Sequence, residues 1–143
     1  MKKLIILSIF LAFICACGRS YKKEDDIKMR EWGITHITEN MTWQNEVQVR
    51  GIIQIEKGVK LEVLSGTKVE FIRIDKNNDG IGDAGLVIYG DIVAKGEMPI
   101  IFTSAEPVKN KSDWQGIYIE NSNDSLLKNC VVEYAYKALH VHS

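Results

Sequence analysis

From Val47 to Val141 short runs of alternating apolar residues recur, each broken by Gly, Asn or Asp, and none has the spacing of a helix. They read V-Q-V, I-I-Q-I, V-K-L-E-V, V-E-F-I, L-V-I-Y, I-V-A, I-I-F, I-Y-I, V-V-E-Y and L-H-V. In the first half Val47, Val49, Ile53, Ile55, Val59, Leu61, Val63, Val69 and Phe71 take alternate positions, while Gln48, Gln54, Lys60, Glu62, Lys68 and Glu70 take the others. Successive side chains of a strand point to opposite faces, so the pattern predicts strands with one buried face. Gly51, Gly58 and Gly66 fall between runs, where a corner needs positive φ. Groups of three runs return about every twenty residues, the period of stacked coils. No Asn-Gly or Asp-Gly two-residue turn joins the runs as a hairpin would require. The expected fold is all-β, a right-handed parallel β-helix (solenoid) of about five rungs.

The two ends of such a coil need cover, because each exposes core and strand edges. The segment W-G-I-T-H-I-T-E-N-M-T-W (32–43) is expected to begin the domain as an N-terminal cap, with Trp32 and Trp43 as its bulky residues. The last residues, Ala138 to Ser143, read as the opening strand of another rung with no polar cap after it. A neighbouring subunit or further rungs would close that end. The unfinished rung favours a longer solenoid, so the β-helix domain is read as 32–143 with a truncated C-terminal end.

Length and composition place this domain in the cell. The 143 residues hold one domain once the start is set aside. Lys2 and Lys3 precede an apolar stretch (4–14) that is too short to span a bilayer, the layout of an export signal. Its end, Ile14-Cys15-Ala16-Cys17, resembles the lipobox of bacterial lipoproteins, with Cys15 departing from the commoner Ala or Ser. That resemblance implies removal of 1–16, a lipid on Cys17 and a membrane as partner. With Cys15 removed and Cys17 capped, Cys130 has no cysteine to pair with. Residues 17–31 are charged and poor in apolar side chains, a solvated tether. Within it Lys23-Glu24-Asp25-Asp26 is faintly similar to the acidic export tags of surface lipoproteins, although it lies several residues later in the chain. The net charge of −1 becomes more acidic on loss of Lys2 and Lys3, which argues against a nucleic-acid partner.

A second resemblance concerns the domain itself. Thr42-Trp43 is followed by V-x-V-x-G-x-I-x-I-x-x-G-V-x-L-x-V-x-x-G-T-x-V-x-F (47–71). Next come G-L-x-I-x-G-x-I-x-A-x-G (85–96), P-I-x-F-T-S (99–104) and W-x-G-I-x-I (114–119). These pieces resemble secreted proteins of the right-handed parallel β-helix (pectin lyase-like) superfamily. The resemblance implies the fold, and the superfamily is too broad for it to imply an activity.

The sharpest candidate chemistry is D-K-N-N-D-G-I-G-D. Asp75, Asn77, Asp79 and Asp83 stand at positions one, three, five and nine, with Gly80 at six and the Ile81 carbonyl at seven. That spacing follows the first part of a calcium loop, and it is similar to the loops of thrombospondin type 3 and dockerin modules. Position twelve is Leu86 where such a loop has a bidentate Glu, so a Ca²⁺ cofactor would need a ligand from elsewhere. A solvated turn would use the same residue types. Asn129 is expected to serve a rung corner, Cys130 to pack as a small hydrophobe and Trp114 to pack at a strand entrance. His140 and His142 share a strand face but lack a third ligand nearby in sequence, and His36 stands alone.

Pectate lyases resembling this fold use a carboxylate cluster for calcium with an Arg, and polygalacturonases use grouped Asp residues. Here Arg50 and Arg73 are the arginines of the rungs, and no paired carboxylates adjoin either. The expected function is a non-catalytic cell-envelope lipoprotein, at the outer membrane or cell surface, whose β-helix scaffold binds a polysaccharide or a surface protein. The alternative is the N-terminal part of a polysaccharide lyase or hydrolase whose catalytic rungs lie beyond Ser143. If the lipid is real, Cys17→Ser moves the protein from the membrane to the soluble fraction and removes the lipid mass from its N-terminus. Unchanged membrane retention and unchanged mass would refute the anchor.

Overall fold

A computed structural model describes residues 33–143. Cys17, the export signal, the tether and Trp32 lie outside the described residues. Among the described residues there is no helix, and eleven strands follow one another: β1 (Ile34–Ile37), β2 (Met41–Trp43), β3 (Glu46–Val49), β4 (Ile52–Ile55), β5 (Lys60–Val63), β6 (Lys68–Phe71), β7 (Gly85–Ile88), β8 (Asp91–Ser104), β9 (Trp114–Glu120), β10 (Leu126–Val132) and β11 (Ala135–His142). The protein is all-β, as the alternation predicts.

The strands pair in parallel. One sheet runs β1-β4-β7-β9-β11 and the other β2-β5-β8-β6-β3, with β10 beside β8. Each strand therefore pairs with one reached only after the chain has visited the other sheet. The return length is uneven: Ile34 pairs with Ile52, an offset of 18, whereas Ile52 pairs with Gly85, an offset of 33. The expected period of about twenty residues holds for the short returns. The longer ones carry two loops, 72–84 and 105–113, and the 14-residue β8.

β8 differs from the sequence reading. The runs I-V-A and I-I-F look like separate strands, yet one continuous strand joins them through the exposed Lys95, Glu97, Met98 and Pro99. Its first half pairs with β5 and its second half with β6. β10 follows both halves and shifts register between Lys128 and Cys130, where Asn129 takes φ 56°.

Register aligns the core. Ile37, Ile55, Ile88 and Ile119 pair in series across the first sheet, and Ile53, Leu86 and Ile117 do so beside them. In the second sheet Val47, Val69 and Phe102 align, as do Met41, Leu61 and Ile92. All of these are buried except Val47 and Met41, which pack against the cluster. Side chains two apart on one strand thus meet their equivalents on the next, a stacking of like on like. Gly51, Gly58 and Gly66 do take positive φ between strands, as expected of corners.

Aromatic rings close the core beneath the 105–113 loop. Phe71 and Trp114 stack with ring centroids 3.8 Å apart and an interplanar angle of 1°. Trp114 is fully buried and its Nε1 donates to the Glu133 carbonyl at 2.9 Å, so the packing expected of it is found. Because Phe71 is also fully buried, Phe71→Ala removes the stack and leaves a cavity. A loss of about 3–5 kcal/mol in urea unfolding is expected, with Val131→Ala on the exposed side of β10 nearly neutral. Equal losses for the two variants would contradict this placement of the core.

Candidate functional site

The acidic loop between β6 and β7 brings its sequence-predicted residues together. Asp75 accepts from two backbone amides: Oδ1 from Asp79 N at 3.1 Å and Oδ2 from Gly80 N at 2.9 Å. Asp79 Oδ1 accepts from Ile81 N at 2.8 Å, and Asp83 Oδ2 accepts from Lys76 N at 2.8 Å. Asn77 Oδ1 shares the Asp79 amide at 3.2 Å while its Nδ2 donates to Asp79 Oδ2 at 2.8 Å. These are turns closed by Asp and Asn side chains, the local chemistry for which such residues are favoured in loops. Gly80 and Asn78 take the positive φ that the bend requires.

The fit of this loop to calcium is partial. Asp75, Asp79 and Asp83 share one loop, and each accepted amide leaves lone pairs on its carboxylate. No group of three His, Cys, Asp or Glu side chains gathers in a metal-holding arrangement among the described residues. Leu86, at position twelve, is fully buried in β7 and offers no oxygen. Positive charge already attends the loop: Arg73 donates to the Gly80 carbonyl at 3.3 Å and lies 3.9 Å from Asp75 Oδ2. A cation here would take Asp75, Asn77, Asp79, Asp83 and the Ile81 carbonyl, as the sequence spacing indicates, and would compete with Arg73.

Sequence reasoning missed the clamp that holds this loop to its neighbour. Asp113 is buried, and its Oδ2 accepts from Ser104 Oγ at 2.7 Å and from Asn110 N at 2.8 Å. Its Oδ1 lies 3.6 Å from Arg73 Nε, so one guanidinium reaches both loops. Lys109 donates to the Ser104 carbonyl, and Gly82 N donates to the Ser112 carbonyl at 2.9 Å. A Cβ on Gly82 would fall 1.9 Å from the Asp113 carbonyl, so the loops can approach only at a glycine. A buried carboxylate is tolerated because it is hydrogen-bonded. The N-K-S-D turn before Trp114 is the one signal of it in the sequence.

The remaining candidates have structural places. Trp43 is buried in β2, and its Nε1 lies 3.2 Å from Met41 Sδ. Asn129 stands at the bend of β10 and donates from Nδ2 to the Gly96 and Glu97 carbonyls, so it serves the middle of β8, where the sequence reading places a corner, through carbonyls. Cys130 is half-buried against the core, and burial pushes its thiol pKa up, which leaves it protonated and unreactive at neutral pH. His36 is exposed and bonds Glu56 at 2.6 Å, which, with Gln54, holds that carboxyl below its ordinary range. His142 meets Glu120 at 3.2 Å and His140 packs at 5.6 Å from the Tyr118 ring, so the two histidines face different partners.

His36 and His140 belong to one outward ladder on the first sheet. His36, Gln54, Val87, Tyr118 and His140 are paired in series from β1 to β11. Tyr136 adds exposed aromatic area on β11, where Leu139 and Val141 continue the inward series past Ile117 and Ile119 and stand exposed. Burial raises the Tyr118 phenol pKa, with Tyr136 adding to it, so the hydroxyl stays a neutral donor and acceptor.

Comparison with protein-family models, with curated proteins and with solved structures yields no match to this chain. For calcium the decisive measurement is a thermal melt with added Ca²⁺ and with a chelator. A site built on Asp75, Asn77, Asp79 and Asp83 raises the midpoint in Ca²⁺, and Asp79→Asn shrinks that rise. Coincident melts would sink the calcium reading.

Proposed function

We propose that the chain is a non-catalytic, lipid-anchored protein of the bacterial cell envelope, whose right-handed parallel β-helix of the pectin lyase-like kind carries a contact surface for a glycan or a protein. The coil is supported by parallel pairing at every strand, with each partner reached after the chain has visited the other sheet. The location is supported by the charged start, the short apolar stretch and the lipobox-like Ile14-Cys15-Ala16-Cys17. Calcium, if bound, would brace the 72–84 loop through Asp75, Asn77, Asp79, Ile81 and Asp83.

One observation carries the contact role. The outward ladder of the first sheet ends in Tyr118, His140 and Tyr136, side chains with an apolar body and a polar edge, which suit a surface that touches a partner and releases it into water. The inward series Ile53, Leu86 and Ile117 beside it is aliphatic and serves packing.

The test is sedimentation of purified Cys17→Ser protein with isolated cell-envelope fragments, where the lipid no longer confers attachment. Saturable co-sedimentation that the double change Tyr118→Ala/His140→Ala abolishes is the expected result. Sedimentation that is absent, or indifferent to both substitutions, would reject the contact surface.

A further inference from the structure

A groove of about 310 Å³ lies just beyond the carboxyl ends of β4, β7 and β9, where successive strands of the first sheet turn their corners. It is lined by Lys57, Tyr89, Asp91, Asn121, Asn123 and Asp124, among others. We infer that this groove is a binding site for an uncharged sugar residue of a polysaccharide, with Tyr89 as the stacking ring and the Asn121 and Asn123 amides as hydroxyl partners. The inference rests on the glycan half of the contact role and gives it a place.

The groove is built by three corners drawn close. Val59 N donates to the Glu56 carbonyl at 3.1 Å, closing the first corner. Tyr89 N and Gly90 N both donate to the Ile55 carbonyl, and Asp91 N donates to the Val59 carbonyl at 2.9 Å. A Cβ on Gly90 would fall 2.1 Å from that same carbonyl, so only glycine allows the second corner to rest on the first. The third corner is tied down by Asp91, whose Oδ1 accepts from Ser122 Oγ at 2.7 Å and from Asp124 N at 3.3 Å. Ser122 Oγ and Ser125 Oγ lie 2.6 Å apart, and Ser125 Oγ accepts from Ile92 N at 3.0 Å.

What the corners hold in place they also leave available. Asp91 is spent on the third corner, whereas the side chains of Lys57, Tyr89, Asn121, Asn123 and Asp124 form no hydrogen bond or ion pair within the described structure. Tyr89 is 37% exposed although its neighbours Ile88 and Gly90 are buried. An aromatic ring beside several free amide, ammonium and carboxylate groups offers donors and acceptors in both senses together with an apolar platform. A pyranose needs both, because its hydroxyls donate and accept around an apolar face.

Charge selects among sugars. Asp91 and Asp124 line the groove against the single lining cation Lys57, and Glu56 directly precedes Lys57 in the chain. The His36 and Gln54 hydrogen bonds keep Glu56 ionised. A uronate unit would meet this excess of carboxylates and be repelled, which leaves neutral or N-acetylated hexoses.

The test uses the full-length protein in detergent, titrated calorimetrically with cellotetraose, with tetra-N-acetylchitotetraose and with tetragalacturonate. At least one neutral probe should bind saturably while tetragalacturonate does not. Tyr89→Ala should weaken the neutral probe by about tenfold or more, equivalent to about 1.4 kcal/mol. Asn123→Ala, in an exposed turn, gives a second measure should Tyr89→Ala fail to fold, and Val108→Ala, at an exposed residue of the 105–113 loop, should bind like the unaltered protein. Failure of both neutral probes, equal binding of tetragalacturonate, or normal binding by the folded Tyr89→Ala protein overturns the groove. Neutral-sugar binding that survives Tyr89→Ala but not Tyr118→Ala/His140→Ala would leave the glycan role standing on the sheet face. Envelope sedimentation without any sugar binding would instead identify the contact as protein.

Discussion

Register is the constraint on which the rest of the molecule depends. Ile37, Ile55, Ile88 and Ile119 lie in one paired series because each strand meets its partner at a fixed offset. A slip of one residue would turn that series outward and bring Gln54, Val87 and Tyr118 into the core. Burial of the aliphatic series therefore sets the pairing, and the pairing sets which residues face solvent. The corners adjust to it. The connections among β1 to β6 are a few residues long, whereas β6 and β7 are joined by the 72–84 loop, surplus chain that must be held down elsewhere.

That surplus explains the clamp. Asp113 and Ser104 are buried polar residues beside the Phe71–Trp114 stack, at the point where both long loops return to the sheets. An unpaired carboxylate there would be costly. Every buried side-chain nitrogen and oxygen among the described residues has a partner, so the cluster serves as a joint. Arg73 reaches from Asp75 to Asp113 and makes the acidic loop and the 105–113 loop one unit. Calcium would act on the same joint, because it would draw Asp75 away from Arg73.

Legibility in the sequence follows the range of the interaction. The alternation of Val47, Val49, Ile53, Ile55, Leu61 and Val63 is local, and it marks the buried face correctly because period two needs only neighbours. The Asp75 to Asp83 loop is legible for the same reason: its hydrogen bonds span two to seven residues. β8 misleads because Lys95, Glu97 and Pro99 read as a break, while pairing to β5 and β6 on either side keeps the backbone extended through them. The third corner of the groove is illegible. Ser122 bonds Asp91 across 31 residues and Ser125 bonds Ile92 across 33, separations that no short motif encodes. Asp113 is intermediate, since its turn is visible and its burial is not.

The same division decides where function can reside. Inward positions are committed to ladders of aliphatic residues with a few aromatic rings, and any polar change there loses packing and strands a polar group. Outward positions of the first sheet and the corners beyond its carboxyl ends carry no such duty. His36, Gln54, Val87, Tyr118 and His140 vary in character along one paired row, while the inward row beside them stays aliphatic from Ile53 through Leu86 to Ile117. Tyr89 stands where the two regions meet, one step past the buried Ile88 and one before the buried Gly90. Its backbone amide is fixed by the Ile55 carbonyl while its side chain remains outside the core. A ring whose backbone is fixed by the core's own pairing has fewer conformations to lose than one on a free loop, which lowers the entropy cost of binding in a shallow polar groove.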